Sequence, residues 1–260
     1  MEFRQEESLI QLTNKQTATL RHWFLPDRPG PLIGLHFIQT GHGSCWVDRW
    51  PDPRVLYVET ARNGSLAGDP SVLTPEMIRN VVVGFVEAPP AFVPLLKTTF
   101  PDLITWDRII FSLPTAPTYT IPAHFTFRRL TATDTDSLVQ LSDESSWISK
   151  TWGGTAGLAA SGYAWGAFAG DRLAAVANSF FLGDHYEEIG VVTEPEFRGQ
   201  GLSVACAGHL CTEIQARGRI PSWTTSHDNL VSRRVAEKLG FAFERNDVLY
   251  VVGIDVPQSP

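Results

Sequence analysis

The segment with the clearest chemical pattern is EIGVVTEPEFRGQGLSVACAGHL, residues 188–210, in which a strand-like run is followed by a short turn and then by a helix. Gly199 and Gly201 lie immediately before the helix. Glycine lets the backbone approach a ligand closely, and the first amides of a helix have no partner within it. With the positive end of the helix dipole, these amides predict an anion site suited to a pyrophosphate. The same pattern also fits a tight strand-to-helix turn that binds nothing.

Two better-known phosphate loops do not match this turn. RGQG lacks the full GxGxxG pattern, and there is no Gly-Lys-Ser/Thr as in P-loop NTPases. RGQGLS instead resembles the pyrophosphate loop of the GNAT superfamily, whose pattern is Arg/Gln-x-x-Gly-x-Gly/Ala. Arg198 and Gly201 match this pattern, and Ser203 departs conservatively from its last small residue.

A second block, WTTSHDNLVSRRVAEKLGF at residues 223–241, is similar to the other GNAT signature, in which an Asn opens a helix that ends in Lys-x-Gly-Phe. The order and spacing of both blocks agree with the family. In its Asn-x-x-Ser helix the chain is most similar to the branch of RimJ- and RimL-type ribosomal protein acetyltransferases. It is closer still to a two-domain GNAT acetyltransferase family with EIGVVT-like elements. The resemblance covers the C-terminal half of the chain.

The resemblance implies a fold, a donor and a set of binding residues. The expected fold class is α/β (α+β), with a C-terminal GNAT acyl-CoA N-acyltransferase fold of a mixed sheet flanked by helices. Acetyl-CoA would be the co-substrate, and no metal is expected, because the histidines show no ligand-like spacing. The backbone of one strand edge would pair with the pantetheine arm, and the loop amides would bind the pyrophosphate. These residues are, in order, Val191, Val192 and Thr193 for the strand, and Arg198, Gly199, Gln200, Gly201, Leu202 and Ser203 for the loop.

Asn229 and Ser232 open the second signature helix. Asn is a favoured N-cap residue, and in the family the equivalent Asn also faces the coenzyme, so both roles are compatible. Many GNAT enzymes keep a tyrosine further along this helix to protonate the departing thiolate, but the matching position is Ala236. The resemblance to RimL-type enzymes makes Ser232 the candidate general acid, and a residue that only starts the helix is the alternative.

Acetyl transfer to an amine also needs a base, because an ammonium group has no lone pair until it loses a proton. Glu187 and Glu188 in YEEIGVVT are the candidates. Successive strand residues point to opposite faces, so only one of the two carboxylates can face the cleft. Alignment of Glu-Ile-Gly with relatives favours Glu188, with Glu187 as its substitute, acting directly or through water.

Composition limits the partners. The formal net charge of -7 argues against binding nucleic acid through its phosphates, which requires a basic face. Cys45, Cys206 and Cys211 form no CxxC pair and no disulfide framework, which favours a reducing compartment. No apolar run reaches the length of about 18 residues that a membrane span needs, and the N-terminus has no signal-peptide pattern. We therefore expect a cytoplasmic protein without a membrane anchor.

The elements that must position these residues are readable mainly after a proline-rich segment at 113–123. Strands are expected at HFTFRRL, at the YAWGAFA and LAAVANSFF hairpin, at 186–193, at 222–225, and in two closing pieces at 241–244 and 248–254. Helices are expected in TATDTDSLVQLSD, at 201–217 and at 230–239. Before the segment, 55–59 and 81–87 predict strands, and Thr74 followed by Pro75 predicts a helix start.

These elements predict two domains, an N-terminal α/β domain at 1–118 and a GNAT N-acetyltransferase domain at 124–260. The first carries no motif of its own and is expected to be either a degenerate GNAT-like half that frames the acceptor pocket or an interaction surface. Trp147, Trp152 and Trp165 could line that pocket or belong to the core.

The leading functional hypothesis is an N-acetyltransferase that moves an acetyl group from acetyl-CoA to a primary amine. The acceptor is left open between a small-molecule amine and a protein N-terminus, and the oligomeric state is left open with a homodimer as one option. A non-catalytic acyl-CoA-binding or sensing protein is the alternative, motivated by Ala236 in place of the tyrosine. Transfer of a longer acyl group is a third hypothesis.

Overall fold

The computed structural model describes residues 8–256, which form two packed units. The first contains the described chain up to Pro26, the stretch Ile33–Asp107 and the chain from Asp247 onward. The second contains Asp27–Leu32 and Arg108–Asn246. A short piece of the N-terminal half of the sequence therefore belongs to the unit that carries both signature blocks.

The first unit is built on a sheet with the order β1-β2-β3-β4-β5, followed by the last residues of the strand β12. Neighbouring strands are antiparallel, except that β4 and β5 are parallel. The strands are β1 (Ile10–Leu12), β2 (Ser44–Val47), β3 (Val55–Thr60), β4 (Asn63–Gly68), β5 (Gly84–Glu87) and β12 (Ala242–Val252). The α-helices are α1 (Asn14–Thr19), α2 (Ile33–Thr40), α3 (Pro75–Arg79) and α4 (Val93–Thr99), with short 3-10 helices at Arg21–Phe24, Pro70–Val72 and Pro90–Phe92.

Local signals explain several of these elements. The predicted helix after Thr74 is confirmed, with the Thr74 hydroxyl accepting the Met77 amide at 3.4 Å. The predicted strand at 55–59 is β3. The expected strand at 81–87 is shorter, because the amides of Val81 and Val82 donate to the Ile78 carbonyl and close the turn after α3.

The second unit carries the sheet β6-β11-β10-β9-β8-β7, in which only β10 and β11 are parallel. Its strands are β6 (Ile104–Ser112, from Arg108 on), β7 (Thr126–Arg129), β8 (Ala164–Ala169), β9 (Arg172–Leu182), β10 (Tyr186–Thr193) and β11 (Ile220–Ser226). Its α-helices are α5 (Thr135–Val139), α6 (Thr155–Ser161), α7 (Leu202–Ala216) and α8 (Leu230–Leu239), with 3-10 helices at Ala132–Asp134, Ser146–Trp152 and Pro195–Phe197.

The two faces of this sheet are covered by different elements. α7 and α8 pack on one face, where Phe111, Ile189 and Trp223 belong to their apolar cluster. The 3-10 helix at Ser146–Trp152, with α5 and α6, packs against a second cluster that includes Val176 and Val192. Because residues alternate along each strand, this arrangement decides which side chains face which layer.

Most expected elements of the second unit are confirmed, including the β8–β9 hairpin, and α8 has the predicted bounds. The expectation of two closing strands was wrong, because β12 runs without a break from Ala242 to Val252. β6 was not predicted. The segment at 113–123 is irregular as expected, yet Gln215 Nε2 donates to the carbonyls of Leu113 (3.0 Å) and Thr115 (2.7 Å), so it is fastened to α7 inside the second unit. On this side of the segment the second unit begins at Arg108, and the domain bounds 1–118 and 124–260 stay a prediction.

No helix among residues 8–256 is long and apolar enough to cross a membrane.

Candidate active site

A gap between the two parallel strands is the central feature of the second unit. β10 and β11 pair only from Tyr186 with Ile220 to Glu188 with Ser222. Both strands continue beyond this point, and their outer edges stay paired, β10 with β9 and β11 with β6. Within the described chain, the inner edges at 189–193 and 223–226 therefore face each other without a ladder. Backbone groups on such an edge are available to a ligand that runs along it.

The glycine turn lies at the far end of β10. Gly199 has φ +77° and Gly201 has φ +79°, values that residues with a Cβ rarely adopt. α7 starts directly after Gly201, and the first amide that bonds within the helix turn is that of Ala205, which donates to the Gly201 carbonyl at 3.1 Å. The amides that precede it start a 15-residue helix and have no partner within that helix, as an anion site requires. A Cβ on Gly199 would meet nothing within 4 Å, so this side of the turn is open.

Side chains hold the turn in place. Arg198 Nη2 donates to Glu144 Oε2 at 2.6 Å, and its Nε donates to the Thr193 carbonyl at 3.4 Å. The hydroxyls of Thr193 and Ser203 are 3.1 Å apart, which joins the end of β10 to the start of α7. The Arg198 guanidinium is thus bound to this exposed glutamate, and the backbone of the turn is the part that is open to an anion.

Asn229 and Ser232 are joined at the start of α8. Asn229 Oδ1 accepts the Ser232 amide at 2.9 Å, which is the expected N-cap bond. The Ser232 hydroxyl oxygen accepts a hydrogen bond from Trp223 Nε1 at 3.0 Å, so its own proton remains available for donation. Trp223 lies on β11 beside the gap, on the face covered by α7 and α8. Ala236 is fully buried in that cluster.

Glu187 is held on the α7 face of the sheet. Its carboxylate is completely buried and accepts hydrogen bonds from Arg217 (2.7 and 3.0 Å), from Arg219 (3.1 Å) and from the Ser179 hydroxyl. A buried carboxylate with such partners is stabilised as a fixed charge. These partners already occupy both oxygens of the Glu187 carboxylate, and its role as the substitute base stays a prediction.

Glu188 points to the opposite face of the sheet from Glu187. It is 5% exposed and accepts a hydrogen bond from the Ser222 hydroxyl at 2.9 Å. Burial raises the pKa of Glu188, while the hydroxyls of Thr224 and Ser222 and the positive charges of Arg108 and Arg245 act in the opposite direction. A carboxylate whose pKa lies above its ordinary value is a stronger base near neutral pH. Glu188 lies at the last paired position of β10, where the gap begins.

The structure thus brings together most of the residues expected from the sequence. Val191 to Thr193 border the gap, the glycine turn closes one end of it, and Glu188 and Ser232 lie on opposite faces of the sheet beside it. Sequence reasoning missed the Ser222 hydroxyl and the two arginines near Glu188. The alternation of polar residues in β11 could have indicated Ser222, whereas Arg108 lies in a strand that was not predicted.

The tryptophans that could line an acceptor pocket and the three cysteines have mainly structural surroundings. Trp152 is buried and donates through Nε1 to the Ser179 carbonyl at 2.9 Å, and Trp165 stacks on His209 with ring centroids 4.6 Å apart. Of the three tryptophans, Trp147 alone is substantially exposed. The cysteines are free and buried. Burial raises the pKa of the Cys45 thiol to about 11, which is the opposite of a reactive thiolate.

Comparison with known proteins gives consistent results. The family model described as GNAT acetyltransferase matches residues 32–250. The chain is 40% identical over 213 residues to the Streptomyces virginiae protein named "Uncharacterized N-acetyltransferase in mutA 5'region", a match that covers 80% of this chain and 90% of that protein. It is 28% identical over 109 residues, or 42% of each chain, to the Bacillus subtilis protein named "Uncharacterized N-acetyltransferase YdfB".

Solved structures show the same fold. A GCN5-related N-acetyltransferase-like protein from Streptococcus suis superposes with a TM-score of 0.71 at 19% identity, covering 92% of this chain and 99% of that one. A tandem GNAT protein from the clavulanic acid biosynthesis pathway gives 0.58 at 13% identity, covering 94% and 97%. These likenesses confirm the expected fold class, a mixed sheet flanked by helices.

Proposed function

Because this chain belongs to the GNAT acetyltransferase family, we propose that it is an N-acetyltransferase that moves an acetyl group from acetyl-CoA to a primary amine. The observation that carries the proposal is the gap between β10 and β11, which begins at a buried carboxylate and ends at an open helix start. A thioester on a long arm needs such a path, with an anion site at one end and a base at the other. The free, buried cysteines support the reducing, cytoplasmic compartment inferred from the sequence.

Acetyl-CoA would bind through the amides of its pantetheine arm and through its pyrophosphate. The amides from Gly199 to Ser203 suit the pyrophosphate, because they start α7 and the turn is open on that side. The unpaired inner edge of β10 at Val191 to Thr193 suits the amides of the pantetheine arm. Asn229 and Ser232 would then lie beside the arm on the α8 side of the gap.

Glu188 is proposed as the base. An ammonium acceptor transfers a proton to the Glu188 carboxylate, directly or through water, and the freed nitrogen lone pair attacks the thioester carbonyl carbon. The carbon–sulfur bond breaks in the collapse of the tetrahedral intermediate, the sulfur leaves as a thiolate, and the nitrogen gives up its second proton, which passes to the thiolate. The products are the acetylated amine and free coenzyme A.

Ser232 is proposed to stabilise this thiolate. A serine hydroxyl is a much weaker acid than a thiol, so donation of a hydrogen bond to sulfur is favoured over full proton transfer. The Trp223 indole occupies one acceptor site of the Ser232 oxygen and leaves the proton for the sulfur. The buried Ala236 supplies no hydroxyl for this purpose.

The test is an amine screen with the purified chain and acetyl-CoA, read by a thiol-detecting reagent. We expect thiol release that depends on an added amine and is reduced in Glu188→Gln. Coenzyme A binding without amine-dependent release across small amines and peptide N-termini would favour the non-catalytic, coenzyme-sensing alternative. Amine-dependent thiol release that is unchanged in Glu188→Gln would move the base elsewhere.

A further inference from the structure

The segment Asp27–Leu32, here called the strap, packs within the second unit although it precedes the signature blocks by more than half of the sequence. Pro29 and Gly30 in it are buried. The strap lies against β11, since the Gly30 amide donates to the Ser222 hydroxyl oxygen at 3.4 Å. Ser222 is the residue whose hydroxyl reaches Glu188.

Asp27 fastens the strap to the turn before β10. Its side chain is 1% exposed, and Oδ2 accepts the amides of Asp184 (2.8 Å), His185 (2.9 Å) and Tyr186 (3.3 Å), while Oδ1 lies 2.7 Å from His185 Nδ1. Burial raises the pKa of Asp27, but the hydrogen bonds from this turn outweigh it and hold the pKa below its ordinary value. The strap is therefore anchored to the backbone two residues before Glu188.

Gly30 is required at its position. Its φ is +121°, and a Cβ there would lie 3.1 Å from both an Arg245 guanidinium nitrogen and Ile110 Cδ1. A glycine lets the backbone come close enough for its amide to reach Ser222. The Gly30 amide of the strap thus donates to the buried Ser222. Gly30 also lies beside Arg245, whose charge acts on Glu188.

The Ser222 hydroxyl has one proton and two lone pairs. The Gly30 amide occupies a lone pair, so the proton is left for an acceptor. Two acceptors are in reach, Glu188 Oε2 at 2.9 Å and the Glu187 carbonyl at 3.4 Å. The carboxylate is both closer and charged, and hydrogen bonds to charged acceptors are the stronger ones.

We propose that Ser222, held by the strap through Gly30, is a positioning residue that fixes the Glu188 carboxylate and stabilises its charged form. The inference rests on the role of Glu188 proposed above. The other charged groups that act on Glu188 are Arg108 of β6 and Arg245 of β12. The strap's carboxylate, Asp27, is directed instead to the 184–186 turn.

The experiment is a carboxyl NMR titration of the full chain labelled with carbon-13 glutamate, with the Glu188 signal identified by its loss in Glu188→Gln. In Ser222→Ala we expect the acid ionisation constant of Glu188 to fall about tenfold or more, as expected for the loss of one hydrogen bond to a charge. The matched control is Ser112→Ala. Ser112 is a buried serine that pairs with Ser222 across β6 and β11 but bonds to Glu244, so its removal should leave the titration of Glu188 unchanged.

The strap is tested by Asp27→Ala, alone and combined with Ser222→Ala. If the strap acts through Ser222, Asp27→Ala lowers the ionisation constant in the wild-type background and has no further effect without the Ser222 hydroxyl. An unchanged titration in Ser222→Ala, or additive effects in the double variant, would overturn the proposal. Should Ser222→Ala fail to fold, Ser222→Cys replaces the hydroxyl with a weak donor of similar shape, and the same direction is expected.

Failure of the proposed function is separable from failure of this inference. The titration needs no acceptor and no acetyl-CoA, so it reports on Ser222 and Glu188 even if Glu188→Gln keeps full amine-dependent activity. In that case the positioning of Glu188 by Ser222 is supported, and the assignment of Glu188 as the base is wrong.

Discussion

Substitution of Gly201 by valine is expected to weaken coenzyme A binding strongly while costing little more stability than a matched change elsewhere. Gly201 has φ 79° and ψ 7° at the start of α7. Gly162, at the end of α6, has φ 76° and ψ 8°. Valine imposes the same backbone strain at both positions, about 1–2 kcal/mol or somewhat more because its Cβ is branched. Neither position is crowded, since the closest atom to a Cβ is Pro122 Cγ at 3.6 Å for Gly201, with nothing within 4 Å for Gly162.

The effect on binding follows from the amides that start α7. If two of them bind the pyrophosphate, each hydrogen bond to this charged group contributes about 1.5 kcal/mol at the lower end of the usual range. Their loss amounts to about 3 kcal/mol, or roughly a 100-fold weaker affinity for coenzyme A. Gly162→Val leaves these amides untouched and should bind coenzyme A like the unaltered chain.

The assay is calorimetric titration of coenzyme A into both variants, with thermal unfolding measured in parallel. We expect similar falls in Tm, of a few degrees, and a loss of affinity in Gly201→Val alone. Coenzyme A affinity equal to that of the unaltered chain in both variants would refute the anion site at α7. Equal losses would show that strain, transmitted through the fold, explains the effect.

The remaining predictions concern ionisable groups and the α8 hydroxyl. Glu188→Gln should lower amine-dependent turnover at neutral pH with coenzyme A affinity unchanged, measured by steady-state kinetics and calorimetry. Glu187→Gln should instead destabilise the fold, by up to about 3 kcal/mol, because this fully buried side chain loses the charge that pairs with the partly buried Arg217 and Arg219, measured by urea unfolding. Ser232→Ala should slow single-turnover transfer, about 10-fold or more, without weakening coenzyme binding. Arg128 holds the pKa of Asp134 at about 2, below its ordinary 3.8, so this pair stabilises the fold above pH 3.8 and the contribution is lost as pH falls towards 2. The shift corresponds to about 2.4 kcal/mol, which we reduce to about 1 kcal/mol because Arg128 is 43% exposed, and unfolding of Arg128→Met at pH 7 checks it.

Elements with local signals at both ends could be predicted from the sequence. α8 has the predicted bounds because Asn229 caps its start and Gly240, with φ 96°, ends it. The β8–β9 hairpin follows from apolar strands around a Gly-Asp turn. β12 was divided in two because Arg245, Asn246 and Asp247 form a polar, turn-like run. In the structure the extended conformation of β12 overrides this weak local preference.

The surroundings of the candidate base could not be predicted in the same way. Glu188 and Ser222 are neighbours because β10 and β11, which α7 connects in the sequence, pair in parallel. Gly30, whose amide donates to Ser222, lies 192 residues before it in the sequence. No local pattern connects such positions, because each of the three segments satisfies its own turn or strand preferences independently. The alternation of Glu187 and Glu188 was readable, but only the arginines at the end of α7 decide which carboxylate is held on which face.

The placement of Glu188 and Ser232 on opposite faces of the sheet suits the direction of the proposed reaction. The amine would lose its proton on the Glu188 face, and the sulfur would develop its charge on the face where α8 presents Ser232. The thioester would lie between them, in the gap where the two parallel strands no longer pair. A thiol has an ordinary pKa of about 8.5, so the thiolate is a good leaving group and a single hydrogen-bond donor is sufficient to stabilise it. The more difficult step is deprotonation of the amine, and that is the side on which the chain places a buried carboxylate with a raised pKa. A serine in place of the tyrosine is therefore compatible with catalysis, provided that the base is kept.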